Sequence, residues 1–147
     1  MSRCERERWG NKLSRNSQAP MKRLLAVDDN ADSAELVARL AAKGGYEVRS
    51  LTDPRSLRAV LQDWKPEVIT LDLCMPEEDG IGIFATLHES GFQGELVIIS
   101  GQDDWLRKTA SRLASARGLK VVADLSKPVD LSVLRGLLAK LQTERAA

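Results

Sequence analysis

Five polar side chains directly follow strand-like apolar runs of this 147-residue sequence. Asp28 and Asp29 come after the first run, Asp72 after the third, Ser100 after the fourth and Lys127 after the fifth. Phosphoryl transfer needs mainly positioning and neutralisation of charge on the phosphoryl oxygens. A carboxylate nucleophile surrounded by further carboxylates, a hydroxyl and an amine can meet that need. The candidate nucleophile is Asp72.

The carboxylates also predict a metal site. If Asp28, Asp29 and Asp72 lie within a few ångströms, their charges repel, and either a proton or a cation must hold them together. All three offer hard oxygen ligands, and the single histidine, His88, lies elsewhere in the sequence. Mg²⁺ is the cation that such ligands favour.

The elements that would position these residues are short strands alternating with amphipathic helices. This alternation predicts an α/β fold in which five βα units form a doubly wound parallel sheet. In the flavodoxin-like strand order 2-1-3-4-5, ligands bind at the carboxyl ends of strands 1 and 3, where the three aspartates would converge. The predicted strands are Arg23 to Val27, Glu47 to Ser50, Val68 to Leu71, Leu96 to Ile99 and Lys120 to Leu125.

Helix boundaries are also indicated by local residue types. Asp32 and Glu35 have capping-box spacing at the start of the first helix, which should stop at the glycines 44 and 45. Asp53 is placed to cap the second helix, with Pro54 at its first position. A third helix is expected after Gly80, a fourth between residues 103 and 116, and a fifth from about residue 130.

Composition excludes several classes of protein. The net charge of +1 gives no reason to expect nucleic-acid binding, and no apolar run is long enough to cross a membrane. Two distant cysteines, Cys4 and Cys74, indicate neither a disulfide framework nor a zinc site, so we expect a cytoplasmic protein. Residues 1–21 are predicted to form a disordered extension, 22–141 the domain and 142–147 a tail; translation from either Met1 or Met21 stays open.

Four segments together resemble the receiver domain of two-component response regulators, which has the CheY-like fold. They are AVDDN at 26–30, LDLCMPEEDG at 71–80, IISG at 98–101 and SKP at 126–128. The resemblance covers about residues 22–141. It implies a regulatory phosphoacceptor domain rather than an enzyme, which assists its own phosphorylation and dephosphorylation. It also implies that the phosphoryl donor is a sensor histidine kinase or a histidine phosphotransfer protein.

The same resemblance assigns roles to individual residues. Asp72 would be the phosphorylated aspartate, and Asp28, Asp29 and the backbone carbonyl of Cys74 would complete the Mg²⁺ site with it. Ser100 is similar to the switch hydroxyl of the family. Two further implications concern Lys127, which would contact the phosphoryl group and precede a cis peptide bond to proline.

One residue departs from the family pattern. Receivers commonly carry an aromatic residue three positions before the lysine, and here that position is Asp124. Burying a carboxylate in the pocket of an aromatic ring would carry a large desolvation cost, so the signal is expected to leave by another route. We expect output through protein contact on the surface of the fourth helix, fifth strand and fifth helix, with a homodimer left open.

Two other functions remain as alternatives. A receiver-like interaction module that takes no phosphate stays open because Asp124 replaces the aromatic residue, but the intact acidic residues and Lys127 argue against it. A phosphatase of the haloacid-dehalogenase type also uses a strand-end aspartate and Mg²⁺, but it needs a second aspartate two residues after the nucleophile, where this sequence has Cys74.

Overall fold

The computed structural model describes residues 21–73, 77–101 and 104–143. Within them, five parallel strands form one sheet in the order β2-β1-β3-β4-β5, as predicted. The strands are β1 (Arg23–Val27), β2 (Glu47–Leu51), β3 (Val68–Asp72), β4 (Glu95–Ser100) and β5 (Lys120–Ser126). Each predicted strand is present, and its observed ends lie within one residue of the predicted ones.

Five α-helices connect the strands and cover both faces of the sheet, which makes the fold doubly wound and α/β. They are α1 (Ala31–Lys43), α2 (Leu57–Asp63), α3 (Glu77–Glu89), α4 (Asp104–Ala116) and α5 (Leu131–Thr143). Within the described ranges, no helix combines the length and the apolar character needed to cross a bilayer.

The core consists of two apolar layers, one on each face of the sheet. One layer packs α2, α3 and α4 against the strands, and its fully buried members include Leu71, Leu87 and Ala114. The other packs α1 and α5, and includes Ala41 and Leu134. Since β1 and β3 lie inside the sheet and are covered on both faces, their residues are almost continuously buried, as is typical of parallel sheets.

The start of α1 differs from the sequence prediction. The capping residue is Asn30, whose side chain accepts a hydrogen bond from the Ser33 N–H, whereas Asp32 lies inside the first turn. The predicted capping box of Asp32 and Glu35 is therefore wrong. Asn30 precedes the helix by one residue and can present its amide oxygen to the exposed N–H groups, which is the usual function of an N-cap.

Other helix ends agree in part with the sequence. The Asp53 side chain accepts from the Arg55 N–H, but the first turn after it is a 3₁₀ helix (Pro54–Ser56) that leads into α2. Helix α3 begins at Glu77 instead of after Gly80, so the glycines lie within it. The low helix propensity of glycine is outweighed there by the packing of later residues such as Phe84, which is 2% exposed.

An irregularity in β5 decides which side chains face which helix. Leu96 and Val97 are consecutive in β4 but pair with Val121 and Ala123, so β5 contains one extra residue, as in a β-bulge. After the bulge, Ala123 and Leu125 pack on the side of the sheet that α1 and α5 cover. Asp124 therefore faces α4.

Candidate functional site

The site is built around Asp72, the last residue of β3. This strand lies between β1 and β4, and Asp72 is paired in register with Ile99. Its side chain is almost completely buried, with 3% of its surface exposed. A carboxylate at such a position is expensive to keep ionised unless charged or polar groups compensate for the lost water. The surrounding residues supply such groups.

Three carboxylates converge at this edge of the sheet, as predicted. One oxygen each of Asp28, Asp29 and Asp72 can be chosen so that all lie within 4.8 Å of one another. Asp28 and Asp72 are buried, while Asp29 is exposed to solvent. The turn after β1 brings the first two carboxylates beside the end of β3, because β1 and β3 are adjacent parallel strands.

The pKa of Asp28 reflects the charges and the burial of this cluster. Its burial, together with the neighbouring Asp72 carboxylate, raises the pKa of Asp28 to about 6. The backbone N–H of Asn30, which donates to Asp28 Oδ1 at 2.9 Å, and the charge of Lys127 oppose this increase only in part. Burial and the Asp72 carboxylate thus outweigh Lys127 and the Asn30 N–H in their effect on the pKa of Asp28.

Lys127 is the basic group of the site. Its Nζ donates a hydrogen bond to Asp72 Oδ2 and lies 3.8 Å from Asp28 Oδ2. The residue follows β5 directly, and its peptide bond to Pro128 is cis, as expected. Its backbone N–H donates to the Ser100 carbonyl at 3.0 Å, so the ends of β4 and β5 are joined at the site.

Ser100 ends β4, the strand beside Asp72, and is fully buried. The structure thus brings four of the predicted site residues together: the carboxylates of Asp28, Asp29 and Asp72 and the ammonium of Lys127. Ser100 lies at the same edge of the sheet. Cys74, whose carbonyl was predicted to complete the metal site, lies outside the described residues.

A residue that sequence reasoning missed is Arg107 of α4. Its Nε donates to Asp124 Oδ1 at 2.9 Å, and this contact gives the carboxylate on β5 a charged partner. The available signal was helical spacing, because Arg107 shares a face with Ala110 and Ala114, both packed on the core. A charged residue on a buried stripe calls for a partner, but the sequence alone does not show which one.

The donor set suits a hard divalent cation. Its side-chain groups are carboxylate oxygens, which Mg²⁺ prefers. The pKa of Asp28 is raised first by burial and then by the neighbouring Asp72 carboxylate, and a cation would oppose both effects. A carboxylate on β3 beside such a site, with an amine in contact, has what it needs to accept a phosphoryl group.

Fold and site together define a doubly wound α/β domain with an acidic cluster and a lysine where the strand order reverses. Its sequence matches the response regulator receiver domain over residues 24–139, and the chain belongs to that family. The family is a regulatory phosphoacceptor family, and receiver domains typically bind Mg²⁺ at an acidic cluster.

Individual relatives agree with this assignment. The chain is 30% identical over 132 residues to response regulator MprA of Mycobacterium leprae, an alignment that covers 85% of this chain and 54% of the relative. It is 28% identical over 125 residues to the phosphate regulon transcriptional regulatory protein PhoB of Pseudomonas aeruginosa, covering 74% and 55%. The chain thus spans about half the length of these curated relatives.

Solved structures give the same fold. A response regulator from Colwellia psychrerythraea superimposes with a TM-score of 0.77 at 29% identity, covering 86% of this chain and all of that one. The chemotaxis protein CheY4 of Vibrio cholerae superimposes with a TM-score of 0.69 at 25% identity, covering 83% and 99%. The CheY-like fold predicted from the sequence is confirmed.

Proposed function

We propose that this receiver domain accepts a phosphoryl group on Asp72 from a phosphohistidine, with the help of Mg²⁺, and signals by protein contact. The donor would be a sensor histidine kinase or a histidine phosphotransfer protein. The observation that carries the proposal is the position of Asp72: a buried strand-end carboxylate, hydrogen-bonded by Lys127, within ligand distance of Asp28 and Asp29.

In the proposed transfer, a carboxylate oxygen of Asp72 attacks the phosphorus of the phosphohistidine. The new O–P bond forms as the N–P bond breaks, and the electron pair of that bond returns to the imidazole, which then takes up a proton. Hydrolysis reverses the modification: water attacks phosphorus, the acyl oxygen leaves as the Asp72 carboxylate, and inorganic phosphate is released. Both steps spread negative charge over the phosphoryl oxygens.

Lys127 would balance part of that charge. Its Nζ already contacts Asp72 Oδ2, and a phosphoryl group on the carboxylate would place new oxygens within reach of the same ammonium. Ser100, buried on the neighbouring strand, would donate its hydroxyl to a phosphoryl oxygen. These are the roles that the sequence predicted.

The cation would be held by Asp28, Asp29, Asp72 and the backbone carbonyl of Cys74. When bound, Mg²⁺ supplies positive charge that orients and neutralises the phosphoryl oxygens. Asp28 has a second task, because its Oδ1 accepts the Asn30 N–H and thereby fixes the turn that presents Asp29.

The proposed output surface consists of α4, β5 and α5. It exposes apolar side chains that a partner could cover: Trp105 is 69% exposed, Leu131 40% and Val133 53%. The partner would be a downstream protein in the cytoplasm or a second copy of this chain. Sedimentation of the phosphorylated and unphosphorylated protein would distinguish a homodimer from a hetero-partner.

The decisive experiment is incubation with Mg²⁺ and acetyl phosphate, followed by intact mass measurement. We expect one added phosphoryl group on the wild type and none on Asp72→Asn. Asp63→Asn, an exposed carboxylate at the end of α2, is the matched control and should label normally. Some receivers do not react with small donors such as acetyl phosphate. Beryllofluoride binding, followed by ¹⁹F NMR, therefore provides an independent readout.

Each alternative predicts a different result. A pure interaction module would neither gain mass nor bind beryllofluoride at Asp72. A phosphatase of the haloacid-dehalogenase type would turn over many equivalents of the ester p-nitrophenyl phosphate, whereas a receiver should be labelled by an activated donor such as acetyl phosphate and should not turn over the ester. Labelling that survives Asp72→Asn would overturn the assignment of the acceptor.

A further inference from the structure

A second group of charged residues lies beside the site, between α4 and β5. Asp124 faces α4 from the interior of β5, and its side chain is 29% exposed. Arg107 of α4 is 11% exposed and donates from Nε to Asp124 Oδ1 at 2.9 Å. We call Asp104, Arg107 and Asp124 the Arg107 cluster. Because the guanidinium is largely shielded from solvent and the carboxylate is partly shielded, this charge-assisted hydrogen bond should be stronger than a fully exposed ion pair.

Arg107 is shared between two carboxylates of different elements. Its Nη1 lies 2.9 Å from Oδ1 of Asp104, the first residue of α4, which is 79% exposed. Yet Nη1 is buried and has no well-aligned hydrogen-bond partner among the described residues. The contact with β5 is therefore well formed, whereas the contact within α4 is only ionic. This arrangement ties the start of α4 to the strand.

The cluster is connected to the phosphoacceptor site along two routes. On one side, Asp124 precedes Lys127 by three residues of the same chain segment, and Lys127 contacts Asp72. On the other side, Ser100 ends β4, and α4 is the helix that follows it. The Lys127 N–H to Ser100 carbonyl hydrogen bond joins both routes at the site.

We propose that the Arg107–Asp124 ion pair couples phosphorylation of Asp72 to the position of α4 and so to the exposed Trp105. The inference rests on the proposed function. In this inference, a phosphoryl group on Asp72 that is contacted by both Lys127 and Ser100 draws the ends of β5 and β4 toward it, because these residues lie at the two strand ends. Arg107 ties α4 to β5, so the helix follows the strand. Separation would leave a largely shielded guanidinium and a partly shielded carboxylate without their partners. Arg107 and Asp124 act as positioning residues.

The test uses the full chain labelled with 5-fluorotryptophan. The sequence has three tryptophans, so the Trp105 resonance is assigned by its loss in Trp105→Phe. Beryllofluoride bound at Asp72 is observed in the same ¹⁹F spectrum. In the wild type with Mg²⁺, we expect the Trp105 resonance to move as beryllofluoride binds. In Arg107→Gln, Asp124→Asn and the double variant, we expect at least a threefold smaller displacement with the site still occupied.

Two features separate coupling from a merely structural role. The double variant should lose no more of the response than either single variant, because both substitutions remove the same link. By thermodynamic reciprocity, losing the link should also change beryllofluoride affinity, and Arg107→Lys, which keeps the charge, should recover part of both effects. Arg112→Gln, an exposed arginine of the same helix, is the matched control and should respond like the wild type.

The possible failures are distinguishable. If beryllofluoride occupies the wild-type site but the Trp105 resonance stays in place, or if the double variant responds fully, the inference is overturned and the proposed function stands. If the wild type does not bind beryllofluoride and is not labelled by acetyl phosphate, both the inference and the proposed function are overturned. Arg107→Gln removes the cationic partner of the partly buried Asp124 carboxylate. If that single variant unfolds, the double variant, which is neutral at both positions, still provides the test.

Discussion

Two clusters of charge in this domain use carboxylates in opposite ways. At the end of β3, within the part of the chain that the structure describes, three carboxylates lie beside the ammonium of Lys127. Burial, together with the Asp72 carboxylate, raises the pKa of Asp28 to about 6. Between α4 and β5, two carboxylates share one guanidinium, and their presence raises the pKa of Arg107 above its usual value. The first cluster has an excess of negative charge that a ligand can relieve. In the second, the charged groups already have protein partners.

The first arrangement of carboxylates favours binding of a ligand, whereas the second links two structural elements. Carboxylates that are buried close together with little positive charge beside them favour binding of a cation, which would lower the cost of keeping them ionised. Carboxylates that are paired across two elements instead restrict how those elements move. The proposed coupling from Asp72 to Trp105 involves both clusters, so the comparison can be tested by removing charges from each cluster in turn.

The largest effect is expected from Lys127→Gln. It removes the Lys127 ammonium that contacts Asp72, so phosphorylation by acetyl phosphate should slow by about 100-fold, the usual loss when one charge-stabilising group is removed. Mg²⁺ affinity should move the other way and increase, because the lysine no longer competes with the cation. Initial labelling rates and magnesium titration measure the two quantities.

The control for that experiment is Lys43→Gln, an exposed lysine in the last turn of α1. It should leave both the labelling rate and the Mg²⁺ affinity unchanged. A Lys127→Gln variant that bound Mg²⁺ more weakly would show that the lysine is an integral part of the metal site. It would contradict the view that this cluster has excess negative charge.

Asp28→Asn should have the next largest effect. Loss of one unit charge at about 4 Å from a divalent cation is worth about 2 kcal/mol even in bulk water and more in a buried site. Mg²⁺ affinity should therefore fall about tenfold or more, while the protein without metal becomes more stable because a buried, repelled carboxylate is gone. Isothermal titration and thermal unfolding provide the two readouts. A parallel fall in stability and affinity would show that Asp28 is chiefly structural.

The pH dependence of stability should reveal the same carboxylate. The folded pKa of Asp28, about 6, exceeds its ordinary value of 3.8, so the folded state binds the proton more tightly than the unfolded state. Its contribution to stability is therefore fully present below about pH 4 and is lost as pH rises through 6. Without Mg²⁺, this loss should appear in the wild type and be absent in Asp28→Asn. Saturating Mg²⁺ should suppress it, since the cation favours the ionised carboxylate.

The sequence predicted the fold and the grouping of Asp28, Asp29, Asp72 and Lys127, because strands and their ends can be read from local patterns. Buried strands appear as apolar runs, and their carboxyl ends meet at one edge of a parallel sheet, which is why Asp28, Asp72 and Lys127 could be grouped in advance. The first residue of a helix is less clearly indicated by such patterns. Several polar residues near the start of α1 can cap, and only the backbone conformation at Asn30 decides between them.

The Arg107 cluster could not be predicted for a different reason. Whether Asp124 faces α4 or α5 depends on the extra residue in β5, and the alternation of side chains along a regular strand does not reveal a bulge. The partner of Asp124 is also 17 residues away on another element. Such contacts depend on how a helix packs against a strand, which local spacing does not determine.

The smallest effect is expected from Asn30→Ala, which tests whether the site and the helix cap beside it are separable. The substitution removes the side-chain oxygen that accepts the Ser33 N–H, and loss of an N-cap typically costs about 1 kcal/mol of the free energy of unfolding. The hydrogen bond to Asp28 comes from the backbone N–H of residue 30, which alanine keeps. Mg²⁺ affinity should therefore change less than twofold. Asp32→Ala is the matched control: if it destabilised the protein more than Asn30→Ala, the capping residue would be Asp32 after all, and the turn that carries Asp28 and Asp29 would be held differently.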